Sequence, residues 1–144
     1  MSRGKAKLDH PAPARMLYSS LHFQYTLRQI ETAASAEKAR VRILSALHGL
    51  IEADAMLAPY DMSMASADSV NPANLATQLY DLTGVGQHLE IRAFLPSAYL
   101  ERLHAAAHRV RQEKLIATTV YNFYANTRGI GHQRHVLAGL NASR

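Results

Sequence analysis

Cysteine is absent from the 144-residue chain, which excludes disulfide bonds, thiolate zinc sites and a cysteine nucleophile. Its absence also fits a reducing compartment. Uninterrupted apolar runs are only a few residues long, so neither a membrane-spanning helix nor the apolar core of a signal peptide is expected. Together with the chain length, these absences predict a soluble cytoplasmic protein with one hydrophobic core and no membrane contact.

Acidic residues are scarce at both ends of the chain. Overall, 16 Lys and Arg residues stand against 11 Asp and Glu residues, which gives a net charge of +5. The tail after residue 125 carries arginines and no acid, whereas the connection over residues 58–97 carries acids against Arg92 alone. Such a charge distribution can attract a polyanion, but it can equally well keep the protein soluble or attract an acidic protein partner.

Apolar periodicity predicts an all-α fold, a small helical bundle of four to five helices. Residues 1–13 lack this period and are expected to form a flexible basic arm, followed by a single helical domain over residues 14–144. Within that domain, helices over residues 14–34 and 36–57 are expected to form an N-terminal helical hairpin, with Ser35 as the N-cap of the second helix, unless the two fuse into one kinked helix.

Two connecting segments flank a short helix. The long internal loop 58–73 has no sustained period, and a loop of that length is usually mobile or functional. Asn71 and Pro72 are the N-cap and first-turn pair of a short helix that runs through Leu82. Residues 87–95 alternate as a strand does, but no partner strand is recognisable, so a helix is expected there.

The longest predicted helix covers residues 97–126, and the rest of the chain is expected to pack around it. Its two apolar stripes are out of register and meet at Glu113 and Lys114. Either the helix bends there or its two halves pack against different partners. The second stripe consists of Ile116, Val120 and Phe123, and an external protein partner would contact it together with the long internal loop.

A cationic edge with aromatic rings nearby is the main functional candidate. Phosphate contacts require positive charge, and unpaired bases stack on aromatic side chains. The candidate nucleic-acid-binding residues lie on the long helix and its tail: Arg102, Arg109, Arg111, Lys114, Tyr121, Tyr124, Arg128 and Arg134. The alternative interpretation is a solvated face with tyrosines in the core. His22 and Arg28, on the first helix, are expected to be solvated flank residues.

These residues predict a small basic helical subunit that binds nucleic acid, DNA or RNA, or joins a ribonucleoprotein complex. It would contact the phosphate backbone without base specificity, since no base-reading motif is present. CRISPR-associated surveillance complexes, whose small helical subunits line a nucleic-acid groove, provide a fold-level analogy. The alternative is a helical adaptor or inhibitor that acts by protein–protein binding, such as an anti-defence protein of a mobile element. Homo-oligomers are compatible with either function, and no cofactor is expected.

Glu101, His104 and His108 have the spacing of metal ligands in helical bundles. Such a site needs further carboxylates or imidazoles from another helix, and no second Glu-x-x-His motif occurs in the sequence. A polar helix face is therefore the preferred interpretation, and no metal is expected.

Arg128, followed by His132 and His135, resembles the Arg-x(4–6)-His element of the HEPN ribonucleases. The resemblance implies an enzyme in which His135 acts as acid or base at an RNA phosphate and Arg128 stabilises the developing charge. A ribonuclease is thus the second alternative, while a non-enzymatic function is preferred.

Overall fold

The computed structural model describes residues 10–18, 20–83 and 88–142, and its fold is mixed α/β, so the all-α prediction is wrong. The helices of the described part are α1 Ala14–Leu17, α2 Leu21–Glu37, α3 Pro72–Asp81, α4 Ser97–Lys114 and α5 Gly129–Gly139. Its strands are β1 Ala12–Pro13, β2 Ile43–Ser45, β3 Gly49–Ile51, β4 Met56–Leu57, β5 Leu89–Ala93 and β6 Thr118–Asn122.

The strands form three two-stranded sheets. β1 pairs with β4 and β2 pairs with β3, both antiparallel, whereas β5 and β6 are parallel. Parallel neighbours need a crossover connection, and α4 provides it between β5 and β6. The chain therefore contains a βαβ unit.

The predicted second helix over residues 36–57 is wrong, because its range contains β2, β3 and β4. α2 continues through Ser35, the expected N-cap, and ends where Lys38 adopts a left-handed φ of 58°. Short apolar runs fit a buried strand as well as a buried helix, which is why the apolar periodicity of residues 36–57 wrongly predicted a helix. Gly49, at a φ of 74°, gives the β2–β3 hairpin a backbone conformation that other residues rarely adopt.

The helix expected over residues 87–95 is instead strand β5. Its partner β6 lies inside the range predicted as the long helix, so each error concealed the partner that would have revealed the other. α4 stops at Lys114 because Leu115 takes a left-handed φ of 54°. The β-branched and aromatic residues of β6 then favour an extended strand. The out-of-register point at Glu113 and Lys114 thus marks the end of the helix.

The predicted first helix over residues 14–34 is interrupted by a corner between α1 and α2. The Ser20 hydroxyl accepts a hydrogen bond from the Phe23 N–H at 3.1 Å and caps α2. The Gln24 side chain donates to the Arg15 carbonyl at 2.6 Å, across the corner. These side-chain bonds satisfy backbone groups that a continuous helix would have paired internally.

The short helix after the loop is confirmed. Asn71 accepts a hydrogen bond from the Asn74 N–H at 2.7 Å, and Pro72 is the first residue of α3. At the other end of the chain, residues 1–9 of the predicted arm lie outside the described residues. Ala12 and Pro13, also assigned to that arm, form β1.

Three hydrophobic clusters build the core of the described residues. The largest packs α3 against α4 and β5, and the second packs α1 and α2 against β2. The third contains Phe94, Tyr124 and Leu137, with Tyr25 and Ile30 packed against them. This third cluster attaches α5 to α2.

Candidate nucleic-acid interface

Two of the predicted binding residues on α4 use their guanidinium groups inside the molecule. Arg102 donates to the Val70 carbonyl, to the Ser69 hydroxyl at 3.1 Å and to the Met64 carbonyl at 3.3 Å. It thereby holds part of the long internal loop against α4. Arg111 donates to the Thr118 carbonyl at 2.7 Å, at the start of β6.

The other two cations of α4 are exposed but have partners nearby. Arg109 forms a salt bridge with Glu113, one turn further along, at 3.0 Å. The Lys114 ammonium lies 4.8 Å from the centre of the Tyr80 ring, in a cation–π contact. The α4 edge is therefore largely compensated by its own neighbours.

The two predicted tyrosines occupy different environments. Tyr121 is 47% exposed on β6, whereas Tyr124 is buried and packs edge-on against Phe94 at 5.8 Å. Burial raises the pKa of Tyr124, and the Thr26 hydroxyl opposes that shift. Tyr124 is therefore a core residue, and Tyr121 keeps a ring that a base could reach.

The predicted cations of the tail lie on or beside α5. Arg128 is exposed and immediately precedes the helix, and its N–H donates to the His132 ring at 3.2 Å. Arg134 lies on the helix itself, and its guanidinium carbon is 5.6 Å from the centre of the Tyr25 ring on α2. The structure thus connects the tail to α2 through an aromatic residue.

Arg28 approaches the same Tyr25 ring, at 5.9 Å from its centre. His22, Tyr25 and Arg28 follow one another at three-residue spacing on α2, so they share one side of the helix. With Arg134 they form what we call the α2–α5 face: His22, Tyr25, Arg28 and Arg134. Sequence reasoning placed two of these residues on a solvated flank and had no reason to connect them with the tail.

Positive charge on the α2–α5 face is not compensated within the described part of the chain. Neither Arg28 nor Arg134 forms a salt bridge there. The two acids of α2 are bound elsewhere: Glu31 pairs with Arg15 at 2.8 Å and Glu37 pairs with Arg92. α5 contains no acid at all. Two guanidiniums and one aromatic ring are therefore available to an anionic partner.

His22 lies at the edge of this face, and its Nδ1 atom is buried without a hydrogen-bond partner among the described residues. Burial lowers the pKa of His22, the charge of Arg134 lowers it further, and Gln133 opposes the shift. At neutral pH the ring is therefore uncharged, and the positive charge of the face comes from its arginines.

The lowered pKa of His22 predicts a loss of stability in mild acid. Between the native pKa and the unfolded value of about 6.5, the unfolded chain binds more protons. This contribution to the free energy of unfolding is therefore complete above that window and is lost as the pH falls through it. We expect His22→Gln to be less acid-sensitive than the wild type when urea unfolding is compared at pH 7.5 and pH 5. Coincident profiles for His22→Gln and wild type would contradict the assignment.

A chain of hydroxyl groups connects the β2–β3 hairpin to the second core cluster. The Tyr60 hydroxyl lies 2.8 Å from that of Tyr18 and also bonds the Ser45 hydroxyl. Ser45, which is fully buried, also accepts from the His48 N–H at 3.1 Å. The His48 ring stands edge-on to Tyr60, with the ring centres 5.4 Å apart. Ser45 thus bonds a phenol and a backbone amide, an arrangement that stabilises the turn.

The protein-binding stripe predicted at the end of the long helix packs inward. Ile116 and Val120 lie against the largest core cluster, and Phe123 packs on Phe94 with ring centres 4.8 Å apart. The adaptor hypothesis thereby loses the apolar surface on which it relied. It stays a prediction without a defined contact surface.

The two predicted chemical motifs differ in their surroundings. Glu101, His104 and His108 are exposed on α4, and across residues 10–18, 20–83 and 88–142 no three acidic or histidine side chains come together as a metal site would require. Arg128 and His135 are both exposed, and they stand beside and within a helix of an α/β fold. The ribonuclease hypothesis stays a prediction and no longer has the helical bundle that the resemblance implied.

No helix in the described part of the chain is both long and apolar enough to cross a membrane. The chain belongs to a family of unknown function, DUF6884, whose model matches residues 1–137. No curated protein and no solved structure matches the chain.

Proposed function

We propose that the protein binds the phosphate backbone of single-stranded nucleic acid through the α2–α5 face, as a cytoplasmic subunit without base specificity. The observation that carries the proposal is that two guanidiniums without a salt bridge among the described residues, those of Arg28 and Arg134, both approach the Tyr25 ring. Guanidiniums bind phosphate oxygens, and the partly buried Tyr25 ring beside them is of a kind on which bases stack.

The roles of the residues follow from their chemistry. Arg28 and Arg134 would contact successive phosphates, and exposed Arg128 would extend the positive field along the strand. Tyr25 would stack on an unpaired base, which does not require a particular base because every base has a π-face. Duplex DNA buries its bases, so a single strand uses this face more fully.

Paired charge reversals test the proposal and distinguish the α2–α5 face from the α4 edge. A labelled single-stranded 12-nucleotide RNA of mixed sequence would be titrated with protein at low salt, with fluorescence anisotropy as the readout. We expect Arg28→Glu with Arg134→Glu to weaken binding by about tenfold or more and to reduce its salt dependence, because two phosphate contacts are lost.

The matched control is Arg109→Glu with Lys114→Glu, which changes the net charge by the same amount on α4. It should stay within about threefold of the wild type, since only the general field changes. Equal losses in the two double variants would show that net charge alone drives binding. Undetectable binding by the wild type at low salt would remove the proposed function.

A further inference from the structure

A cavity of about 470 Å³ is lined by two of the three sheets, with residues of the β2–β3 hairpin and of β5, and also by residues of α2 and α3. Consecutive residues of each sheet line it: positions 39–42 and 44 leading into and along β2, and positions 88–95 along and beside β5. Apolar side chains predominate deeper in the cavity, among them Leu44, Leu79 and Leu103. The cavity is therefore a slot between two strands.

Both strands present an unpaired edge among the described residues. β2 pairs with β3 alone and β5 pairs with β6 alone, so one edge of each strand has no neighbouring strand. An unpaired strand edge has N–H and C=O groups that water or another strand can pair, and at β5 the residues concerned, Glu90 and Arg92, are exposed.

The register of β5 shows which of its backbone groups face away from β6. Leu89 donates to the Ala117 carbonyl and Ala93 accepts from the Phe123 N–H, both at 2.9 Å. In a parallel pair, alternate residues direct both backbone groups to the same neighbour. The N–H and C=O of Glu90 and Arg92 therefore point to the opposite edge, toward the slot.

The rim of the slot carries more positive than negative charge. Its cationic residues are Lys38, Arg40, Arg42 and Arg92, and its acids are Glu37 and Glu90. Arg92 is paired with both acids, and Arg42 is paired with Glu52 at 3.4 Å. Arg40 donates to the Leu82 carbonyl, and Lys38 has no partner in the described part of the chain, so these two keep their charge without a carboxylate. An occupant with an apolar middle and an acidic end would match both the lining and the rim.

From this geometry we propose that the slot receives an extended peptide segment of a partner protein, which inserts as a strand between β2 and β5. Main-chain hydrogen bonds to Glu90 and Arg92 hold it, and Val- or Ile-rich residues fill the apolar interior, as in strands buried on both faces. β5 spans five residues, so the inserted segment pairs over about 16 Å. Its acidic end lies at the cationic rim.

A short synthetic peptide provides the probe. The test peptide is an acetylated heptapeptide of valine and isoleucine with aspartate at each end, labelled for fluorescence anisotropy. The control peptide has the same sequence with its central amides N-methylated, which removes main-chain donors. We expect the first to bind and the second to bind at least about tenfold more weakly, because strand addition depends on main-chain hydrogen bonds.

Glu90→Pro and Glu90→Ala form a matched pair of variants. Proline removes the N–H that faces the slot and leaves the β6 ladder intact, whereas alanine removes only the side chain. Glu90→Pro should lose peptide binding by about tenfold or more, and Glu90→Ala should retain it. Circular dichroism of both variants verifies that they are folded.

Hydrogen exchange at the Glu90 and Arg92 amides tests whether the peptide pairs with this edge of β5. We expect both amides to exchange rapidly in the free protein and at least about tenfold more slowly with the peptide bound. Slow exchange in the free protein would show that its own chain already fills the slot. That outcome, or equal binding of the two peptides, or full binding by Glu90→Pro, would overturn the proposal.

Discussion

Gly49→Ala is expected to lower the free energy of unfolding by about 2–4 kcal/mol. Gly49 has a φ of 74°, and a Cβ atom added there would lie 2.1 Å from Oε1 of Gln78. That oxygen accepts from the Leu50 N–H at 2.8 Å, and the same amide group donates to the His48 carbonyl at 2.9 Å. Alanine therefore adds backbone strain and displaces the side chain that connects the hairpin to α3.

Alanine substitutions at two other glycines distinguish the cost of backbone strain from the cost of displacing the Gln78 side chain. Gly129 has nearly the same φ, 73°, but nothing lies within 4 Å of an added Cβ, so Gly129→Ala should cost only about 1 kcal/mol. Gly131, in α5, also has open space and an ordinary φ, and alanine there should stabilise the helix by about 0.5–1 kcal/mol. Urea unfolding followed by circular dichroism measures all three variants. A cost at Gly49 no larger than that at Gly129 would show that Gln78 does not hold the hairpin.

Leu137→Ala is expected to lower the free energy of unfolding by about 2–4 kcal/mol, within the range for a fully buried leucine. Leu137 is the buried residue of α5, and it packs with Phe94 and Tyr124 in the third core cluster. Beyond it, the Asn141 side chain donates to the Gln29 carbonyl at 3.1 Å, which is a further contact between the tail and α2. Loss of Leu137 should therefore loosen α5 before the rest of the molecule.

Hydrogen exchange and urea unfolding together test this prediction. Amides of α5 should exchange faster in Leu137→Ala, while those of α3 and α4 should change less. Ile130→Ala is the control on the same helix, because Ile130 is 54% exposed, and it should change stability by less than about 0.5 kcal/mol. RNA binding should weaken with Leu137→Ala, since the α2–α5 face needs both helices. Uniformly accelerated exchange would contradict the view that Leu137 specifically holds α5.

Local signals predicted the elements that local interactions determine. Asn71 and Pro72 gave the start of α3, because capping acts within four residues. The mismatch of stripes at Glu113 and Lys114 falls at the end of α4, so its interpretation as a bend or a change of packing partner within a helix that continues to residue 126 is wrong.

Non-local pairing explains the errors. β5 and β6 stabilise each other across α4, so neither strand has a recognisable partner until the other is known. The α2–α5 face also depends on a contact between residues that are distant in sequence. Tyr25 and Arg134 are more than a hundred residues apart, and they meet because Leu137 packs α5 on α2. No spacing rule within the sequence could connect them.

Photo-crosslinking tests the nucleic-acid interface most directly. A single-stranded RNA containing 5-iodouridine would be irradiated with the full-length protein, and the crosslinked peptides identified by mass spectrometry. Nucleobase stacking on Tyr25 predicts crosslinks in α2, at Tyr25 itself, and their loss in Tyr25→Ala. Crosslinks confined to α4 and Tyr121, and unchanged by Tyr25→Ala, would contradict the account.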